Sequence, residues 1–302
     1  MAVPTLEITK LTKQFGKVKA LDEIDLTVNK GEVFGYIGPN GAGKTTTINV
    51  LLGILKASSG SARIFGKDVW IDAVEIHKDI SFVPGDVNLW PNLTGGEAID
   101  LFASLRGKVN PKRQKMLLEM FDLDPSKKCR TYSKGNRQKV ALVAAFAAEA
   151  DLYIFDEPTS GLDPLMEQVF QECVKEQKLN GKSILLSSHI LSEVERLCDR
   201  VSIIREGRIV ETGTISELRH LTDITMTVDT IHPIDKPELI KGVSGIVRHK
   251  NGFSFQVDSA ELSNVVAEIS KYGVTKLYST PPTLEDLFMR HYGDNGGSYN
   301  EK

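Results

Sequence analysis

Apolar residues recur at short, regular intervals through the first thirty positions. Leu6, Ile8 and Leu11 lead to a Phe15-Gly16 turn, and Leu21, Ile24, Leu26 and Val28 run on to Asn29-Lys30-Gly31. Such spacing between turn residues predicts a pair of strands. The continuous apolar run 33–37 reads as a short buried strand. A Gly-rich stretch follows, and then helical spacing over 43–55. Further short strands are expected at 61–66 and 79–83. The segment 86–150 is mostly helical, with Thr94-x-x-Glu97 as a capping box before the helix 98–105 and apolar positions at Met116, Leu117, Met120 and Phe121. From 151 strand and helix alternate: strand 152–155, helix 164–179, strand 183–186, helix 190–198, strand 201–205. Alternation of this kind implies a largely parallel sheet covered on both faces.

Thr214-x-x-Glu217 is a last capping box, and the pattern resets near Leu221. Strand 224–228, short helix 236–241, strands 243–248 and 253–257, helix 260–271 and strand 274–278 follow, with a terminal helix over 283–291. Up to Tyr278 that order is β-α-β-β-α-β, the ferredoxin-like arrangement. The expected division is therefore 1–220, with a helical subdomain at about 86–150, then a small α+β domain at 221–292. A Gly- and Asn-rich tail at 293–302 is expected to fray.

Composition narrows the class of protein. The 302 residues carry 37 Lys+Arg and 40 Asp+Glu, and 25% of them are charged, which is ordinary for a globular chain. Residues 221–302 hold 8 basic and 11 acidic residues, so the net charge of −3 sits there and residues 1–220 are neutral. Without a basic excess on either part, nucleic acid is not the expected partner. The longest apolar run, 140–148, spans nine residues, far short of the ~20 that cross a bilayer. No basic flank precedes an apolar stretch at the start, so no secretory leader is expected. Cys129, Cys173 and Cys198 are widely spaced, which argues against disulfides or a zinc site and for a reducing compartment.

The chemistry begins at Gly38-Pro39-Asn40-Gly41-Ala42-Gly43-Lys44-Thr45. This is GxxxxGK[ST] with a strand before it and a helix after it, the context a phosphate loop requires. Its glycines let backbone N–H groups wrap phosphate oxygens, and the helix N-terminus adds a positive dipole. Lys44 is placed to reach the β- and γ-phosphates, Thr45 to ligate Mg2+, and Thr46 to join the ATP-binding residues. The buried-strand run Leu152-Tyr153-Ile154-Phe155 ends in Asp156-Glu157. Asp156 then stands where a carboxylate binds the magnesium ion, and Glu157 where one polarises an attacking water.

With those motifs in hand, residues 5–220 resemble the ATP-binding subunit of an ABC transporter. Phe15 precedes the phosphate loop where the family has an aromatic that stacks on adenine. Tyr132-Ser133-Lys134-Gly135-Asn136 occupies the place of the LSGGQ signature, with Lys134 for the first glycine and Asn136 for glutamine. Ser160-Gly161-Leu162-Asp163 matches the D-loop, and His189 after Leu185-Leu186-Ser187-Ser188 matches the switch histidine. The resemblance implies a P-loop NTPase fold with an N-terminal antiparallel β subdomain and a helical subdomain. It implies two copies, or this chain and a homologue, packed head to tail. Each ATP then lies between one phosphate loop and the partner's Ser133, Lys134, Gly135 and Asn136. Lys134 would add a cation facing phosphate, Asp163 would connect the two sites, and Glu157 with His189 would hydrolyse ATP. One departure stands out in Phe82-Val83-Pro84-Gly85-Asp86, where glycine replaces the family's glutamine. Either water and backbone make its contact here, or Asp86 takes over its magnesium or water contact, which is the expectation adopted. The ending Pro281-Pro282-Thr283-Leu284-Glu285-Asp286-Leu287-Phe288 resembles the extension on drug-export-type members, implying export. With no spanning segment of its own, the chain is expected peripherally on the cytoplasmic face of the membrane under separate permease subunits. Those would dock in the region 86–132, with Leu89 and Trp90 as candidate anchors. The rivals are a soluble ABC ATPase acting on ribosomes or DNA, and a binding module with a dead ATP site. The first usually has two ATPase halves in one chain or added zinc cysteines. The second is opposed by intact Lys44, Asp156, Glu157 and His189.

Overall fold

The computed structural model describes residues 3–105, 110–220, 224–249, 252–258, 261–280 and 284–285. It divides into two compact units, Met1–Thr212 and Gly213–Lys302.

In the first unit, β1 (Leu6–Phe15) pairs antiparallel with β2 (Val18–Val28), from Leu6 opposite Val28 to Phe15 opposite Val18. The predicted apolar positions all point inward: Leu6, Ile8, Leu11, Leu21, Ile24, Leu26 and Val28 are at most 4% exposed. The register slips between Ile8 and Leu11, where Lys10 takes φ 45° and its N–H is held by Asp25. That is a β-bulge, which bends the strand while keeping the apolar face inward.

Chain then enters the centre of a second sheet as β3 (Val33–Ile37) and leaves it through the Gly-rich loop into α1 (Lys44–Leu51). The helix stops well before residue 55 because Gly53 takes φ 64° and reverses the chain. β4 (Ser59–Ile64) joins the other side of β1, and β5 (Lys67–Asp68) closes that four-stranded sheet in the order β2-β1-β4-β5. A single turn, α2 (Ala73–Ile76), precedes β6 (Ile80–Val83).

Three helices fill the next segment: α3 (Gly95–Ser104), α4 (Pro111–Met120) and α5 (Lys134–Ala147). The capping box at α3 forms as predicted, Thr94 accepting from Glu97 N–H and Glu97 from Thr94 N–H. The apolar run of α5 is wholly buried. β7 (Leu152–Asp156), α6 (Pro164–Leu179), β8 (Ser183–Ser188), α7 (Leu191–Leu197) and β9 (Arg200–Arg205) follow. β9 turns into β10 (Arg208–Thr214) through Glu206-Gly207, both at positive φ, a hairpin strand that the apolar pattern does not announce. The sheet order is β10-β9-β3-β8-β7-β6, with parallel pairing from β9 through β6. Phe146 of α5 packs on Tyr153, Phe155 and Phe170 beneath β7, with ring centroids 5.3–6.0 Å apart. Arg113 of α4 clamps Glu176 of α6 through two hydrogen bonds of 2.7 and 2.6 Å, tying the helical segment to the sheet layer.

The second unit opens with α8 (Ile215–His220), capped by Thr214 and Glu217 as the sequence predicts. β11 (Ile224–Thr230), β12 (Val243–Arg248), β13 (Gly252–Val257), α9 (Leu262–Ser270) and β14 (Val274–Thr280) complete it. The sheet order is β12-β13-β11-β14 with antiparallel neighbours, the ferredoxin-like order. Met226, Val228, Phe253 and Phe255 form its core with Val265 and Ile269 of α9. The helix expected at 236–241 is instead a single 3-10 turn, Pro237–Leu239, with proline opening it and only three residues to nucleate. Of the expected terminal helix only Leu284 and Glu285 fall within the described residues, and the expected tail lies outside them.

Candidate functional site

The phosphate loop leaves the C-terminal end of β3, an interior strand of the parallel sheet between β9 and β8, where open α/β sheets bind ligands. Gly43 opens α1 at φ 115°, a conformation closed to other residues, which lets the loop turn straight into the helix. Pro39, Asn40, Gly41, Thr45, Thr46 and Glu157 line a cavity of about 200 Å³ there. Gly38 and Ala42 are the loop's backbone supports: the Gly38 carbonyl accepts from Lys44 Nζ at 2.6 Å, and Ala42 N–H bonds back to Pro39 O at 3.2 Å.

Lys44 is only 5% exposed. Besides the loop carbonyls, its ammonium lies 3.1 Å from Glu157 Oε1. Asp156 at the end of β7 is 4% exposed, and each of its oxygens carries a hydroxyl: Thr45 Oγ1 donates to Oδ2 at 2.8 Å, Ser187 Oγ to Oδ1 at 2.5 Å. A carboxylate and a threonine hydroxyl side by side at a phosphate loop are the hard oxygen donors a magnesium ion takes.

Glu157 takes φ 50°, a left-handed conformation uncommon for a non-glycine residue. Its N–H donates to Ser187 O at 3.0 Å, so β8 holds the bend. Strain held in place by neighbours in this way is typical of functional positions. The bend turns the carboxylate into the phosphate cavity, where His189 Nδ1 hydrogen-bonds Oε2. Residues 44, 45, 156, 157 and 189, from three separate segments, thus form one connected group.

Other predicted residues lie elsewhere in the chain. Phe15 stands 47% exposed at the end of β1, with the Lys13 ammonium 4.9 Å from its ring centroid, and does not line the phosphate cavity. Ser133 caps α5 by accepting from Asn136 N–H at 3.3 Å. Lys134 does not project a free cation: its ammonium donates to Ser160 Oγ of the D-loop at 2.8 Å. Gly135 follows it in the first turn of α5 and, with Lys134, lies against its own D-loop at Gly161, and no signature residue lines the phosphate cavity. Asp163 caps α6, one oxygen accepting from Leu165 N–H and Met166 N–H. Asp86 is exposed and makes no hydrogen bond or ion pair to Thr45, Asp156 or Glu157. At Gly85 a side chain would start 3.1 Å from Asp156 O and 3.4 Å from Glu157 Cβ, so glycine here lets the strand end pack closely on the acidic pair.

Three contacts carry no motif signal in the sequence. Ser187 donates to Asp156, buried Gln138 of α5 donates to Pro158 O at 2.9 Å beside Glu157, and Ser188 donates to Glu193 at 2.8 Å. The first exists only because β8 lies beside β7, the second because α5 packs against the loop after β7, and the third is local, closing the turn from β8 into α7.

A second cavity, of about 500 Å³, is an apolar groove lined by Ile54, Phe82, Val87, Trp90, Phe102 and Leu105. Trp90 is 51% exposed, with its ring 5.9 Å from that of Phe102.

Comparison with known proteins agrees with this geometry. Residues 21–160 match the ABC transporter family, and residues 213–292 match the C-terminal domain of DrrA1-3-like ATP-binding proteins. The ABC transporter ATP-binding protein YhaQ of Bacillus subtilis (strain 168) is 33% identical over 298 residues, covering 95% of this chain and 98% of YhaQ. The bacitracin transport ATP-binding protein BcrA of Enterococcus faecalis is 30% identical over 303 residues, covering 96% and 97%. Among solved structures, an ATP-binding subunit of an ABC transporter superposes with TM-score 0.68 at 35% identity, over 72% of this chain and 92% of that one. A dimeric ATP-binding cassette with ADP and phosphate bound shares the fold, with TM-score 0.63 at 24% identity over 69% and 98%. No helix among the described residues is long and apolar enough to cross a membrane. The chain belongs to the ATP-binding proteins of ABC transporters and is an ATPase of that family.

Proposed function

We propose that this chain powers export through separate permease subunits, on the cytoplasmic face of the membrane, where ATP is supplied. The observation that carries the reading is the bonded group Lys44, Thr45, Asp156, Glu157 and His189, of which Lys44, Thr45 and Glu157 line the phosphate cavity. Loop N–H groups and Lys44 bind the β- and γ-phosphates. Thr45 and Asp156 would hold magnesium, which when bound neutralises phosphate charge. Glu157 accepts a proton from the attacking water, and His189, bonded to Glu157, holds that carboxylate in line. Lys44 is paired with Glu157 in the structure. A γ-phosphate competes for the same ammonium, so binding ATP frees the carboxylate for water. Phe15 supplies an exposed ring for the adenine.

The signature segment faces its own D-loop and not its own phosphate cavity. This supports a head-to-tail pair in which Ser133, Lys134, Gly135 and Asn136 meet the partner's ATP, with Asp163 between the sites. In such a pair ATP competes with Ser160 for Lys134. The apolar groove around Trp90 supports docking of a permease helix, with Trp90 its exposed anchor. The drug-export direction draws support from the DrrA-like C-terminal match and from the bacitracin transport relative.

The deciding experiment compares ATP turnover and nucleotide retention in the wild type and in Glu157→Gln. The wild type is expected to turn over, and the variant to bind ATP and hold it. A wild type that itself traps ATP without turnover refutes the catalytic assignment. Trp90→Ala should lose co-purification with detergent-solubilised membrane partners while keeping ATP binding.

A further inference from the structure

Glu193 takes no part in the roles given above, yet it is buried between the two loops that carry hydrolysis. It lies in the first turn of α7, four residues after His189, and is 4% exposed. Its Oε2 accepts from Ser188 Oγ at 2.8 Å, and that same hydroxyl accepts from Ile190 N–H at 3.0 Å. Both neighbours of His189 are therefore anchored through one serine to one carboxyl. Thr159, 5% exposed and two residues after Glu157, lies close enough to the same carboxyl to favour its ionised form. Oε1 is buried and has no hydrogen-bond partner.

We propose that Glu193 is a positioning residue for ATP hydrolysis, holding the Glu157 and His189 loops in register through Thr159 and Ser188, and that it does so as the neutral acid. The inference rests on the hydrolytic roles proposed for Glu157 and His189. A buried carboxylate with one oxygen unsatisfied is disfavoured. The charged groups acting on it, Glu167 of α6 and Glu157 after β7, are both acidic. Cys198 at the far end of α7 adds no cation, since burial, and then Glu193 itself, push its thiol pKa well up. Ser188, Thr159 and the helix N-terminus favour ionisation, but burial outweighs them and raises the carboxyl to about 7. Ionisation above that pH puts a third negative charge beside Glu157 and Glu167, and pulls both hydroxyls toward itself.

Steady-state ATPase kinetics on the full chain test this, using wild type, Glu193→Gln, Glu193→Ala and Glu157→Gln between pH 6 and 8.5. Binding of a fluorescent ATP analogue checks that each site is formed. Glu193→Gln keeps the shape and neutrality, and is expected to hold kcat within about twofold of wild type at pH 6.5. Its kcat relative to wild type should then rise as pH passes 7. Glu193→Ala should lose kcat about tenfold or more with KM little changed, as a misplaced catalytic pair requires. The isosteric variant carries the pH test even where the alanine variant does not fold. Wild-type kcat in Glu193→Ala, a Glu193→Gln variant as slow as the alanine one, or parallel pH profiles would each overturn the proposal. If Glu157→Gln is dead while Glu193→Ala is unimpaired, this inference alone fails. If Glu157→Gln turns over like wild type, the underlying hydrolytic reading fails.

Discussion

Replacing Glu193 by glutamine should change stability in a way that depends on pH with a definite sign. A free glutamate titrates near 4.5, whereas burial brings this one to about 7 in the folded chain. Below pH 4.5 both folded and unfolded states hold the proton, and the group costs nothing. Between 4.5 and 7 the unfolded chain ionises while the folded chain does not, so stability falls as pH rises. Above 7 both are ionised and the loss stays constant, at about 3 kcal/mol from about 1.4 kcal/mol per pH unit across the window. Glutamine cannot ionise and escapes this loss, although its buried amide carries a fixed, pH-independent cost of about 1–3 kcal/mol. The stability of the variant relative to wild type should therefore climb by about 2 kcal/mol from pH 5.5 to 7.5 and then level off. Urea unfolding followed by tryptophan fluorescence reads this out cleanly, because Trp70 and Trp90 both belong to the first unit. Titrations common to both proteins cancel in the difference. A difference flat to within about 0.5 kcal/mol over that range would mean that Glu193 titrates like a free side chain, and the account of its burial would be wrong.

Three further outcomes follow from the same contacts. Lys44→Ala removes the buried ammonium and should weaken ATP binding roughly tenfold to a hundredfold, the worth of one charge-assisted contact; equilibrium binding at fixed magnesium checks it, and unchanged affinity would remove Lys44 from the phosphate site. Asp86→Ala should leave the magnesium concentration for half-maximal activity unchanged, because Asp86 is exposed and bonded to none of the acidic pair or Thr45. A clear shift in that midpoint would restore it to the ligand set. Phe146→Ala empties the centre of the aromatic cluster with Tyr153, Phe155 and Phe170 and should cost about 3–5 kcal/mol. Urea unfolding that shows a loss below about 1 kcal/mol would mean the cluster repacks.

What the sequence revealed depended on how local each feature is. The phosphate loop is eight consecutive residues whose glycines, lysine and threonine must adjoin, so it was legible in full, as was Asp156-Glu157 at the end of an apolar strand. Ser187 was visible only as a residue before the histidine, because its bond to Asp156 exists only once β8 lies beside β7. Gln138 and Glu193 read as ordinary polar helix positions, yet both are buried against residues 157–159 or 188. Strand β10 escaped notice since its positions are mostly exposed or half-buried, leaving little apolar rhythm to detect. The helix expected at 236–241 failed for the opposite reason, since apolar spacing there was real but too short, and opened by Pro237, to hold more than one turn.

The placement of Lys134 bears on why the signature could depart from glycine at all. A glycine there would leave the first turn of α5 with no side-chain link to the D-loop. Lysine supplies one, donating to Ser160 three residues before the α6 cap at Asp163. The contact is exposed, so it is worth little on its own, and an anion as strong as a γ-phosphate outcompetes a neutral hydroxyl for the ammonium. The substitution therefore suits a contact made and broken in each cycle better than a permanent strut. At the other half of the site Lys44 is bound to Glu157 and to loop carbonyls, contacts that are buried and charged. In the proposed pair, then, ATP draws one lysine off the hydrolytic carboxylate of its own chain and another off the D-loop of the facing chain. An exposed bond to a hydroxyl and a buried ion pair are thus both exchanged for phosphate contacts, so that engagement of the facing chain and release of the catalytic base are driven by the same ligand.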